Sequence, residues 1–345
     1  MSPPPRIVRR ALLQPAYVAG VALGLLALPV VIFGAAFLSR YVPGKWRILR
    51  IVWFMFLYIV VDAAAVVVLF FYWVGSGFGW RIRSPFWERA HYQLLAWILR
   101  RIIASAKFTF KINLVLEGSP PRTDGRRPIL VFSRHAGPGD SMLLMDGLAN
   151  RFQRNPRIVL KEFLQWDPAI DILLNRLPSA FVPSGQKGRE LLDTISSMAG
   201  SMDSEDVFVI FPEGGNYSRK RHLRSIEKLH EIGRPDLAER AEALKSTLPP
   251  RATGAMTALE AAPPRSDVFF VGHAGLETFE TPGDIWRGMP MDTDIAVRIW
   301  HVPAERIPPA EEQETWLFDM WAEIDGWITE RLAKTAEPFD DHDAY

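Results

Sequence analysis

No charged residue occurs between Arg10 and Arg40, and the stretch from Leu12 to Trp80 carries only one acidic and four basic residues. Such a run must be hidden from water, in a core or in a bilayer. Its first part, Val18 to Leu38, reaches the ~20 apolar residues a helix needs to cross ~30 Å of hydrocarbon. Pro29 inside it predicts a kink, which membrane helices tolerate. The run is too long for a cleaved signal peptide. The second run, Ile51 to Trp80, contains Asp62, which costs ~2.5–3.5 kcal/mol at mid-helix, whereas each Leu, Ile, Phe or Val returns ~0.3–0.6 kcal/mol. Thirteen such residues lie from Val52 to Phe71, so insertion wins. Trp53, Tyr72, Trp73 and Trp80 sit near its ends, as interfacial anchors do. Asp62 is read either as functional or as structural, pairing with a neighbouring helix or sitting near the interface. Arg6, Arg9 and Arg10 precede the first run, Arg40, Lys45, Arg47 and Arg50 join the two, and Arg81, Arg83 and Arg89 follow. Charge therefore does not orient the hairpin, and a hairpin dipping into one leaflet, with all three groups on one side, stays open. Residues 1–84 are expected to form this membrane-embedded hairpin.

The remainder of the 345 residues is long enough for one domain with its own core, expected over 85–336. A net charge of +1 argues against nucleic acid as a partner. The absence of cysteine excludes a disulfide framework, a thiolate nucleophile and cysteine-ligated metals. Helical spacing of Trp87, His91, Leu94, Leu95, Ile98 and Ile102 predicts a helix over Pro85–Ala106, and alternation from Phe108 to Glu117 predicts a strand. After a Pro/Gly/Arg loop at 119–127, short apolar runs at Ile129–Ser133, Ile158–Leu160, Val207–Phe211 and Val268–Gly272 read as strands. Helices are expected around Ser141–Phe152, Arg189–Gly200 and Ser225–Lys245. Alternating strands and helices imply an α/β domain with a largely parallel sheet flanked by helices, its functional groups in loops at the strand C-terminal ends. An acidic tail, 337–345, is expected to fray.

Strand Ile129–Ser133 delivers Arg134-His135-Ala136-Gly137-Pro138-Gly139-Asp140. A turn at Gly137–Gly139 can fold Asp140 back onto the imidazole, making His135 a base for a hydroxyl. The alternative is that Asp140 merely caps the next helix. After Val207–Phe211 comes Pro212-Glu213-Gly214-Gly215-Asn216-Tyr217-Ser218-Arg219, where two glycines allow a close backbone approach and free N–H groups can hold an anion. Arg219, Lys220, Arg221 and Arg224 add positive charge, or form a solvated helix face. Lys161-Glu162-Phe163-Leu164, closed by Pro168, and Pro249-Pro250-Arg251-Ala252-Thr253-Gly254, an Arg beside a flexible Gly suited to phosphate, are weak signals singly.

In this order, His-x4-Asp, Lys-x-Phe-Leu, Phe-Pro-Glu-Gly and a Pro-rich turn before a strand, the segments resemble the glycerolipid acyltransferases, specifically the 1-acylglycerol-3-phosphate (lysophosphatidic acid) acyltransferases of the branch with two N-terminal hydrophobic segments. The likeness runs from about Trp87 to the 320s, and within that branch it includes Lys220-Arg221-His222, Pro250 to Gly254 and Thr293 to Pro308. It implies that His135 is the general base and Asp140 its orienting carboxylate. Glu213 and Gly214, with Lys161, Arg219 and Arg251, would bind the acceptor and its phosphate, Glu213 being assigned to a hydroxyl or to orienting an Arg. It also implies direct attack of a lysolipid hydroxyl on an acyl thioester. No metal or cofactor is required; acyl-CoA or acyl carrier protein is the co-substrate. Membrane lipids and a lysophospholipid acceptor are the expected partners, with the catalytic domain on the cytoplasmic face. The remaining histidines (91, 222, 230, 273, 301, 342) read as structural or exposed.

The chain departs from the family at three places. Arg134 stands where Asn usually precedes the His. Gly215 replaces the Thr of Phe-Pro-Glu-Gly-Thr. Phe181-Val182-Pro183-Ser184 lacks the family's phosphate-contacting Arg, for which Arg189 or Arg134 are candidate substitutes. The catalytic pair is thus retained and the acceptor is open: another lysolipid, a glycolipid, or, in a non-catalytic relative, a lipid merely bound.

Overall fold

The computed structural model describes residues 3–118, 127–137, 139–183, 188–277 and 282–336. Residues 119–126 of the expected loop at 119–127, Pro138, Ser184 and the tail 337–345 lie outside the described residues. Two apolar helices come first, α1 (Arg6–Ser39) and α2 (Arg47–Gly75), both long and apolar enough to cross a membrane. Then follow α3 (Pro85–Phe110), β1 (Ile112–Glu117), β2 (Ile129–Ser133), α4 (Asp140–Asp146), β3 (Asn155–Lys161), α5 (Pro168–Leu174), β4 (Ala180–Val182) and α6 (Arg189–Gly200). The chain continues with β5 (Asp206–Ile210), α7 (Arg219–Glu231), α8 (Pro235–Ala243), α9 (Ala252–Ala261), β6 (Asp267–Ala274), α10 (Pro282–Gly288), β7 (Thr293–Val302) and α11 (Gln313–Ala336).

The seven strands form one sheet in the order β1-β7-β6-β2-β5-β3-β4. Strands β6, β2, β5, β3 and β4 run parallel; β7 is antiparallel to β6, and β1 runs parallel to β7. This is the expected α/β class. Strand β2 is buried at every residue, as a central parallel strand covered on both faces must be. On one face Phe132, Phe208 and Phe270 pack with Ala199, Ala258, Trp321 and Ile324 of α6, α9 and α11. On the other, Val131, Val209, Phe269 and Val271 pack with Leu99 of α3 and Met145 of α4.

Three helix boundaries differ from expectation. Helix α3 continues to Phe110, past the expected end at Ala106, because this buries Thr109 and sets Phe110 against Phe54 at 4.8 Å between centroids. Left-handed Lys111 ends it. The expected helix Ser225–Lys245 is two helices: Gly233, at φ +75°, closes α7, and Pro235 opens α8. Helix α7 also begins earlier, capped by Ser218, whose hydroxyl accepts the Arg221 N–H at 3.3 Å. The basic run is therefore helical.

The two apolar helices differ in their packing. Helix α2 contributes Val61, Ala65, Val66 and Leu69 to a core shared with Tyr92, Ile98 and Ile102 of α3 and Ile172 of α5. Asp62 Oδ1 accepts the Ala169 N–H at 3.1 Å, at the first turn of α5, so it serves as a helix-end partner. Arg50 donates to the Thr109 carbonyl at 2.6 Å, and Arg176 donates to the Leu69 carbonyl at 2.9 Å. These contacts lie ~29 Å apart along α2 at 1.5 Å per residue, so the helix runs along the α/β domain. At the start of α1, Arg9 and Gln14 bond the buried Asp171 of α5 at 2.7 and 3.2 Å. Beyond that point α1 is largely exposed, Leu23, Leu26, Val30 and Phe33 included.

Candidate active site

The C-terminal ends of β2, β5 and β6 deliver three loops to one edge of the sheet. His135 follows β2, and its Nδ1 lies 2.7 Å from Asp140 Oδ2. A carboxylate accepts, so Nδ1 carries the proton and Nε2 is the basic nitrogen. Among the described residues Nε2 has no hydrogen-bond partner; the imidazole is 31% exposed and its ring lies 4.9 Å from that of Phe211. The same Asp140 oxygen accepts the N–H groups of Ala136 and Gly137 at 2.8 and 3.2 Å, and Oδ1 accepts that of Ser141 at 2.5 Å. Asp140 therefore does both things the sequence left open: it holds His135, and it begins α4. Burial raises its carboxyl, but the bond and charge of His135, with His273 and the Gly137 N–H, outweigh burial and hold it below its ordinary value.

Three buried groups lock this loop. Glu213, 1% exposed, accepts the His135 N–H at 3.2 Å and the Leu248 N–H at 3.0 Å. Burial pushes its carboxyl up to about 7, against the opposing pull of Arg134 and these two N–H groups. Arg134, also 1% exposed, donates to the carbonyls of His273 and Ser246 at 2.6 and 2.9 Å and pairs with Glu277. Asp325 of α11 accepts the N–H groups of Lys245, Ser246 and Thr247 at 2.9, 2.7 and 2.8 Å. His273 of β6 lies 3.7 Å from Asp140; burial, then the Arg134 charge, lower its pKa to about 4, so it is neutral.

Beyond Glu213 opens a cleft of about 560 Å³. Gly214, Gly215 and Arg251 form one side; Arg221, Arg224 and Lys228 line it from α7, with Arg234, Leu229, Ile232, Glu314 and Phe318. Gly214 has φ +67°, and a Cβ there would meet the Arg251 guanidinium at 2.8 Å, so only glycine lets Arg251 lie over this turn. A second, apolar cavity of about 140 Å³ is walled by β1, β2, β6, β7 and α4, with Asp140 and His273 in its lining.

The family model for acyltransferases matches residues 113–268. This segment of the chain is thus similar to the acyltransferase family. Among curated proteins no relative matches. The crystal structure of the 1-acyl-sn-glycerophosphate acyltransferase PlsC from Thermotoga maritima is similar at 16% identity and a TM-score of 0.44, over 80% of this chain and 98% of that one.

The residues named from sequence fall into two groups. His135, Asp140, Glu213, Gly214 and Arg251 converge. Lys161 ends β3 and Arg219 begins α7; both are exposed, and neither lines the cleft. Arg221, Arg224 and Lys228 stand there instead, a helical spacing that became readable once the helix was seen to start at Arg219. Glu213 has both oxygens on backbone N–H groups, which makes it a brace between two loops. Arg134 is equally unavailable to a ligand, being buried against Glu277, and Arg189 lines neither cavity. Gly254, read as flexible, is inside α9. Asp325, Glu277 and His273 had no motif to announce them.

Proposed function

We propose that this acyltransferase moves a fatty acyl group from an acyl thioester to the free hydroxyl of a lysophospholipid, with lysophosphatidic acid the default acceptor. The observation that carries the reading is the His135–Asp140 pair, with Nε2 unpartnered among the described residues, Asp140 in the lining of an apolar cavity, and Glu213, which accepts the His135 N–H, in the lining of a cationic cleft. Nε2 takes the hydroxyl proton as the oxygen attacks the thioester carbonyl carbon. The carbon–sulfur bond then breaks, and the imidazolium returns the proton to the departing thiolate. Asp140 positions the ring and stabilises its charged form, as carboxylates do in comparable pairs. The apolar cavity beside Asp140 suits the part of the acyl chain next to the thioester, and the cleft suits anionic groups.

The hairpin supports a membrane location of monotopic kind. Helix α2 touches the α/β domain near both its ends, so it lies along the domain, and the exposed apolar face of α1 is what a single leaflet would cover.

The test is transfer of a labelled acyl group from long-chain acyl-CoA to a panel of lysolipids, including lysophosphatidic acid and a glycolipid, by detergent-purified protein. His135→Ala is expected to lower turnover at least 10²-fold while leaving folding intact. Retention of most activity would end the general-base assignment.

A further inference from the structure

The cleft holds more positive charge than one phosphate needs. Of its five cations, Arg234 is matched by Asp236 and Glu314, at 2.9 and 2.6 Å. Arg221 donates to the Asn216 carbonyl at 3.0 Å but meets no carboxylate, and Arg224, Lys228 and Arg251 have no ion-pair partner among the described residues. Glu227 and Glu231 of the same helix do not line the cleft. Glu213 and Glu314 do line it, but Glu314 is taken by Arg234 and both Glu213 oxygens by backbone N–H groups, so four cations face one space with no ion-pair partner among the described residues. A phosphomonoester carries about −1.5 to −2 at neutral pH, which matches roughly half of that charge.

Geometry agrees with the count. Arg221, Arg224 and Lys228 lie on one face of α7, three and four residues apart, and extend ~10 Å along the helix at 1.5 Å per residue. Arg251 arrives from a different element, over Gly214. Gly215 plays the same part for Arg221: a Cβ there would stand 3.1 Å from its Nη1. The departure from the family's Phe-Pro-Glu-Gly-Thr thus seats a second guanidinium beside the first. At about 560 Å³, with Leu229, Ile232 and Phe318 in its wall, the cleft has room for a drug-sized ligand with an apolar part.

We propose that the cleft between α7 and Arg251 binds a ligand region bearing two or more phosphate groups. Two sources share this chemistry: the phosphorylated nucleotide of an acyl-CoA donor, and an acceptor whose headgroup carries more than one phosphate. The charge and geometry do not depend on the acyl-transfer reading; only the choice between these sources rests on it.

Titration of the detergent-solubilised full chain with inorganic pyrophosphate and with orthophosphate tests the site without any turnover. Pyrophosphate is expected to bind at least tenfold more tightly than orthophosphate, and Arg224→Glu/Lys228→Glu to weaken it at least tenfold. Arg224→Gln/Lys228→Gln, which removes charge without reversing it, is expected to weaken it severalfold and serves if the reversal disturbs folding. Equal affinity for the two anions, or unchanged pyrophosphate binding in a folded variant, would overturn the proposal. Steady-state kinetics of the same variants separate the sources. A KM rise confined to acyl-CoA assigns the nucleotide, and one confined to the acceptor assigns its headgroup. Lost pyrophosphate binding with neither KM altered would make the cleft an adventitious anion site and overturn the proposal. Should no acceptor support transfer at all, the acyl-transfer reading fails and the anion titration still decides the cleft.

Discussion

The His135 loop and the α7 cleft lie side by side at one edge of the sheet, joined through Glu213, yet their polar groups are treated in opposite ways. In the loop almost every polar atom has a protein partner. Both Asp140 oxygens and both Glu213 oxygens are taken, and Arg134 spends its guanidinium on two carbonyls and Glu277. In the cleft, the side chains of Arg224, Lys228 and Arg251 have none among the described residues. A reacting group gains from being held in one geometry before substrate arrives. A binding group gains from charge that is satisfied only when the ligand is there. The loop should therefore fail steeply and the cleft by degrees.

The steepest failure is expected at Asp140. Under the proposed chemistry, Asp140→Asn removes the acceptor that fixes the Nδ1–H tautomer and sets an amide among N–H donors, and kcat/KM should fall on the order of 10³–10⁴-fold. A loss within threefold would mean the loop is held by its other contacts alone.

Glu213 comes next, and its effect is on stability. Its carboxyl moves from the ordinary 4.5 up to about 7 on burial. The folded state thus holds a proton that the unfolded chain gives up across that interval. Glu213's contribution is full below the unfolded value and is lost as pH rises through about 7, a change on the order of 3 kcal/mol. Glu213→Gln should flatten the fall in stability between pH 5 and 8, measured by denaturant unfolding in detergent. An unchanged slope would show that another group titrates.

The smallest effect is expected in the cleft. Gly215→Thr places a Cβ within 3.1 Å of Arg221 Nη1, the far end of a flexible side chain that can shift. The KM of whichever substrate occupies the cleft should rise about two- to fivefold with kcat unchanged. A collapse of kcat would mean that loop and cleft are one rigid unit, and the contrast between them would be lost.

What was legible in the sequence was what short range determines. Strand β2 and helix α6 lie where apolar runs and helical periodicity put them, and the His-x4-Asp spacing with its glycines closed into a 2.7 Å contact because the turn is local. The Gly233-Arg234-Pro235 break was equally local, and could have been read from its punctuation. Alternation from Phe108 to Glu117 misled because Phe110 had a tertiary partner, Phe54, that rewarded one more helical turn.

Other features had no local cause. Asp325 reaches a segment some eighty residues earlier in the chain, Arg134 meets Glu277 across β6, and α2 lies against α3 and α5 through Asp62 and Leu69. By itself the sequence determined strands β2, β5 and β6, helix α6, the His135–Asp140 contact and the two apolar helices, since each follows from residue types within a few positions of one another. Only the tertiary structure decided that Glu213 is a brace, that Lys161 and Arg219 stand outside the cleft while Arg224 and Lys228 face it, and that the second apolar helix runs along the domain. Burial and charge balance are properties of what surrounds a residue, and those surroundings come from every part of the chain.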